Sequence, residues 1–134
     1  WLKPMTQRAA DLKECTMSSI LSMQYVSTLL GREAVIEFPD SRAEVRYTVK
    51  GDMQWRVKDS QGRISEGCEH LSYLQVSDTL HFLNWTERNG FTVSQVINTT
   101  EGTVQAFWTL ADARYERGQR SSMFVEGRFR FRGQ

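Results

Sequence analysis

Past Gly31 the chain alternates apolar and polar residues with a period of two, and before Gly31 it does not. Ala34, Ile36 and Phe38 separate from Val35 and Glu37, and Pro39-Asp40-Ser41 follows as a turn. Val45, Tyr47 and Val49 lie on one face of a second segment, 42–49, with Glu44, Arg46 and Thr48 on the other. Lys50-Gly51-Asp52 leads into Met53, Trp55 and Val57, opposed by Gln54, Arg56 and Lys58, and Asp59-Ser60-Gln61-Gly62 ends that run. Further strands are expected at 69–76, 78–85, 90–97, 102–110 and 122–132, punctuated by Ser77-Asp78, Arg88-Asn89-Gly90 and Glu101-Gly102. About eight short strands with tight turns predict a mainly β protein, a single antiparallel β-barrel over residues 30–134. Closure removes the two sheet edges that an open meander would leave unpaired, and leaves room for one small ligand.

Residues 1–29 read differently. No Pro or Gly falls between Thr6 and Leu30, and Ala9, Leu12, Cys15, Ile20 and Met23 recur at three- and four-residue intervals. That spacing predicts an N-terminal α-helix with one apolar side. Its methionines, Met5, Met17 and Met23, suit packing on the barrel or on a second copy, so a homodimer is expected.

Composition narrows the partners. Seventeen Lys+Arg against sixteen Asp+Glu give a net charge of +1, with no broad field to hold a phosphate backbone or an anionic membrane. Neither nucleic acid nor a membrane is expected as a partner. The arginines from Arg114 to Arg132 are interleaved with Asp112, Glu116 and Glu126, which reads as a solvated face. Cys15 and Cys68 belong to no CxxC or Cys/His cluster, so the expectation is free thiols in a reducing cytoplasm and no metal.

Motif-readable chemistry is sparse. No GxGxxG, Walker loop, HExxH or calcium loop occurs, and Ser72 and Ser94 lie on strand patterns without a nucleophile elbow. No cofactor is expected. His81-Phe82-Leu83-Asn84-Trp85-Thr86-Glu87 stands apart, because alternation puts Glu87 in phase with His81, Leu83 and Trp85. If that face looks inward, an aromatic wall, an imidazole and a carboxylate meet near an opening, where the neutral acid is favoured. A strand-end Glu in solvent beside Arg88 is the alternative. The polar stretch Ala111–Ser121 exceeds a tight turn and reads either as a lid or as a surface loop.

Trp85-Thr86-Glu87, Gly90 and Val93-Ser94 resemble the pattern Trp-Thr/Leu-Glu-Pro-x-Gly-Thr-x-Val-Ser of the MoaF-like group of calycin proteins and their relatives, the phenolic acid decarboxylases. Leu30-Gly31-Arg32 resembles the start of that group's first barrel strand, and Gly102-Thr103-Val104-Gln105-Ala106 the strand after the motif. The likeness runs in order from about Leu30 to Phe131 and implies a lipocalin-like barrel. In the decarboxylases it implies a cavity Glu and Arg acting with two strand-one tyrosines on a para-hydroxycinnamic acid. Glu87 takes the place of the Glu, and Arg63 is the candidate Arg if one residue is inserted after it. The tyrosine positions fall near Ile36 and Phe38, which cannot donate a hydrogen bond to a carboxylate, so phenolic acid decarboxylation is not expected.

The sequence therefore predicts a binding protein for a small apolar or amphipathic molecule, with Ile36, Phe38, Trp55, Leu83 and Trp85 as wall and Glu87 as polar anchor. Burying about 200 Å² of ligand gives a gross ~5 kcal/mol at ~25 cal/mol per Å², before association costs. One alternative is a lyase or isomerase using Glu87 with His81 or Arg63 for proton transfer. The other is a solid-cored interaction module docked through its N-terminal helix.

Overall fold

The computed structural model describes residues 27–133. The expected N-terminal helix lies outside these residues. Among them the chain forms nine strands: β1 (Glu33–Phe38), β2 (Ser41–Tyr47), β3 (Asp52–Asp59), β4 (Ile64–His70), β5 (Ser72–Gln75), β6 (Leu80–Thr86), β7 (Thr92–Asn98), β8 (Thr103–Ala111) and β9 (Arg120–Arg132). They make one antiparallel sheet in the order β4-β3-β2-β1-β9-β8-β7-β6-β5, curled into a half-barrel. The first and last strands of the barrel segment are neighbours, with Ala34 opposite Phe131 and Ile36 opposite Phe129.

Because every ladder is antiparallel, strand sense alternates along the order, and β4 and β5 at its two ends run the same way. A single residue, Leu71, separates them. They are therefore two halves of one strand that pairs first with β3 and then with β6. Leu71 is buried at the joint, and its N–H donates to the Gly51 carbonyl at 3.0 Å.

The expected closed eight-stranded barrel is corrected on this point. Eight staves are present when β4 and β5 count as one, but no ladder joins β4 to β6, so the sheet curls on itself without a continuous ladder at the seam. The single strand expected at 69–76 is also replaced, since β4 begins at Ile64. Its inward positions are Ser65, Gly67 and Glu69, which carry no apolar alternation for a reader of the sequence to detect. Strand 42–49 stops at Tyr47, and Val49 is exposed in the turn that Thr48 and Gly51 close.

The inward positions otherwise follow the alternation. Ala34, Ile36, Ala43, Val45, Tyr47, Met53, Leu83, Trp85, Val93, Ile97, Val104 and Phe129 are buried together. Leu29 joins them from the segment before β1. Phe82 and Phe107 face outward, and Phe107 rests on Phe124 across the β8–β9 ladder at 4.8 Å.

Two strand glycines make room for aromatic rings. A Cβ on Gly67 would stand 2.8 Å from the Trp55 ring, its cross-strand partner, and one on Gly127 would stand 2.9 Å from the Phe38 ring. Each aromatic lies over a backbone patch that no other residue leaves bare. Gly67→Ala should push Trp55 off β4 and cost about 1–3 kcal/mol. Urea unfolding followed by tryptophan fluorescence measures this, and an unchanged midpoint would show that the Trp55 ring is not seated there.

Candidate functional site

Inside the curl lies a cavity of about 310 Å³. Its aliphatic floor includes Ile36, Ala43, Val45, Met53 and Val93, and its aromatic wall is Phe38, Trp55, Trp85, Phe91 and Trp108. Trp108 fixes part of that wall, with Phe38 edge-on at 5.8 Å and Phe91 tilted at 5.7 Å. The polar groups in the lining are Ser41, Ser65, Glu87 and Gln95.

Glu87 is held by local backbone chemistry. Its N–H donates to the Phe91 carbonyl at 2.7 Å and its carbonyl accepts from Gly90 N–H at 2.8 Å, closing the turn between β6 and β7. Gly90 takes φ 87° there, a conformation that side chains disfavour. Asn89 Oδ1 accepts the Phe91 N–H at 3.0 Å, so the same turn aims both Glu87 and Phe91.

The Glu87 carboxylate lies where the cavity meets a second, outer cleft lined by Trp55, Glu66, Gly67, Cys68, Glu69, Arg88 and Asn89. This cleft is the gap beside the joint. β5 pairs with β6 only as far as Ser72 opposite Asn84, so Trp85 and the residues after it run beside β4 without a ladder. Trp85 Nε1 donates to Glu87 Oε2 at 3.1 Å, and across the gap Trp55 Nε1 donates to Glu69 Oε2 at 2.9 Å. Burial pushes the Glu87 carboxyl above its ordinary range; the Trp85 N–H acts in the opposite direction, and the Glu69 charge adds to the rise.

Ile36, Phe38, Trp55, Trp85 and Glu87 all line this cavity. Leu83 is fully buried in the core beside them but does not line the cavity. His81 does not join Glu87, because six residues at ~3.3 Å each put it roughly 20 Å along the strand. It is buried at the other end, with Nδ1 2.7 Å from the Tyr73 hydroxyl and Nε2 3.2 Å from Thr28 Oγ1. Burial there holds its imidazole below the usual value, favouring the neutral ring. Arg63 is exposed in the β3–β4 turn, where its Nε donates to Asp59 Oδ2 at 2.7 Å.

Phe91, Trp108, Gln95 and Glu69 were not anticipated as site residues. Gln95 falls at an inward position between Val93 and Ile97, and a polar residue in phase with two apolar ones was the signal. Glu69 offered no signal, because its strand was misplaced. None of residues 112–119, the loop between β8 and β9, lines the cavity; Arg120 at its end donates to the Gly90 carbonyl at 2.8 Å.

Residues 30–121 match the MoaF-like family. The chain belongs to that family. Among solved structures this MoaF-like chain is similar to one titled "Crystal Structure of a putative beta-lactamase from Burkholderia vietnamiensis", with a TM-score of 0.64 and 17% identity over 78% of this chain and 95% of the other. At that identity the likeness shows the fold alone. No curated protein matches the chain. Among the described residues no helix is long and apolar enough to cross a membrane.

A carboxyl whose folded pKa is raised binds its proton more readily in the fold than in the open chain. Its contribution to stability is therefore largest at low pH and is lost as pH rises from about 4.5 through the folded value. Glu87→Gln keeps an acceptor for Trp85 and removes that loss. The variant should melt slightly higher than the parent at pH 7, and the gap should close near pH 4. A gap that is constant with pH would show that Glu87 sits in ordinary solvent.

Proposed function

We propose that this MoaF-like protein binds a small amphipathic molecule in its aromatic cavity, with the polar end at Glu87. The observation that carries the reading is a half-buried carboxylate at the mouth of a 310 Å³ space whose walls are otherwise mainly apolar. That volume lies at the small end of the usual range for ligand sites, roughly 300–1,000 Å³. A solid-cored module does not accommodate such a void.

Catalytic alternatives find less support. Neither His81 nor Arg63 reaches Glu87, so a paired proton transfer has no partner from that set. Ile36 and Phe38 line the cavity where the decarboxylase resemblance implies phenols, and among the described residues no Lys, Arg or His lines it to hold a substrate carboxylate. Among the described residues Ser41 and Ser65 likewise have no basic side chain in the lining to activate them, so the similarity to the Burkholderia structure lends no support to acyl transfer.

N-phenyl-1-naphthylamine, uncharged at neutral pH and fluorescent in apolar surroundings, is a direct probe. It should bind with micromolar affinity, and Trp85→Ala or Phe38→Ala should each weaken it about tenfold, the loss expected from a well-packed aromatic contact. Phe82→Ala, on the outer face, should leave it unchanged. Equal binding by the inner and outer variants, each first confirmed as folded by circular dichroism, would contradict the cavity as the site.

A further inference from the structure

The polar groups around the cavity share one chemical deficit. Trp85 and Trp55 each occupy Oε2 of a carboxylate, on Glu87 and Glu69, and among the described residues no hydrogen bond reaches Oε1 of either. Deeper in, Gln95 is only 5% exposed, and its Oε1, buried in the wall, has no hydrogen-bond partner. A buried acceptor without a donor is costly to leave unmet. Of these only the Gln95 oxygen is buried without a partner among the described residues, the carboxylates standing at the mouth and the other unpartnered buried atom, the Tyr47 hydroxyl, lying outside the cavity lining. All three positions in the site are acceptors, so a ligand that completes it brings donors.

Charge points the same way. Among the described residues Glu87 is the one ionisable group in the cavity lining, and Glu69 and Glu66 stand in the adjoining cleft. Arg88 lines that cleft but forms no ion pair with them among the described residues. The indole N–H edges of Trp55 and Trp85 hold the two carboxylates in place at the mouth. An alcohol brings one donor and no charge, and a carboxylic acid meets repulsion.

Building on the proposed binding function, we infer that the ligand is a small organic amine in its protonated form. Its ammonium sits between Glu87 and Glu69 at the mouth, and its body lies along the aromatic wall. Gln95 pairs with Leu83 in the β6–β7 register, two inward steps from the Glu87 level. At ~3.3 Å per residue that is roughly 13 Å along the strand, so a second donor on the far end of the body faces Gln95 Oε1. The site thus reads both ends of one molecule: cation at the mouth, hydroxyl or N–H at depth.

Three probes with one body separate the head groups: 2-phenylethylamine, 2-phenylethanol and phenylacetate, titrated calorimetrically into the full chain at pH 7. The amine should bind at least about tenfold tighter than the alcohol, the increment of one charge-assisted contact, and phenylacetate weakest. Glu87→Gln and Glu69→Gln should each bring amine and alcohol towards parity. A para-hydroxyl on the amine should tighten binding several-fold in the parent and not in Gln95→Leu. Amine binding no better than alcohol or acid, while N-phenyl-1-naphthylamine still binds, would overturn this inference and leave the cavity reading standing. If neither the series nor that neutral probe binds, both fall together.

Discussion

One strand that changes partner at Leu71 sets the form of the molecule. β4 pairs with β3 and β5 with β6, and between the two halves there is one residue, so the sheet meets itself without a continuous ladder. Backbone groups on the facing edges of β4 and the end of β6 are left beside a cleft. A barrel with ladders all the way round would open only at its ends; this one also has a cleft in its wall where its two edges approach.

The side chains at that opening suit it. Gly67, Cys68 and Glu69 on one side and Trp85 and Glu87 on the other place small, polar and aromatic groups where a sealed barrel would need close packing. Gly67 leaves space for the Trp55 ring, and the Trp55 indole then donates to Glu69 two residues further along. On the other edge Trp85 donates to Glu87 two residues on in its own segment, where Trp55 reaches across to the neighbouring strand. In each case strand periodicity puts ring and carboxylate on one face, and the indole N–H turns a charge that would repel its neighbour into part of a fixed wall.

Much of this was legible in the chain. Where both a strand's faces and its turn were written in ordinary alternation, as from Ala34 to Val57 and from His81 to Ile97, side-chain direction could be read directly, and Glu87 fell in phase with Trp85. The reading failed where function or topology replaced apolar residues. β4 presents Ser65, Gly67 and Glu69 inward, so nothing marked it as a strand, and the joint at Leu71 has no turn signature because the chain does not turn. His81 shows the complementary limit: being in phase with Glu87 placed it on the right face, while distance along the strand kept it from the site. Trp108 is in phase with Val104 and Ala106, and Phe91 with Val93, but alternation fixes a face and not which inward residues meet around the cavity.

The account rests on the Glu87 carboxyl standing half-buried at the edge of an aromatic space and facing a second carboxylate. A carbon-13 NMR titration of that side chain measures its environment without perturbing it. The predicted midpoint lies clearly above 4.5, the ordinary value, and falls back towards it when Glu69 is changed to Gln. A midpoint at or below 4.5 in the parent protein would mean that the group is solvated in the ordinary way, and the proposed mouth of the cavity would not exist.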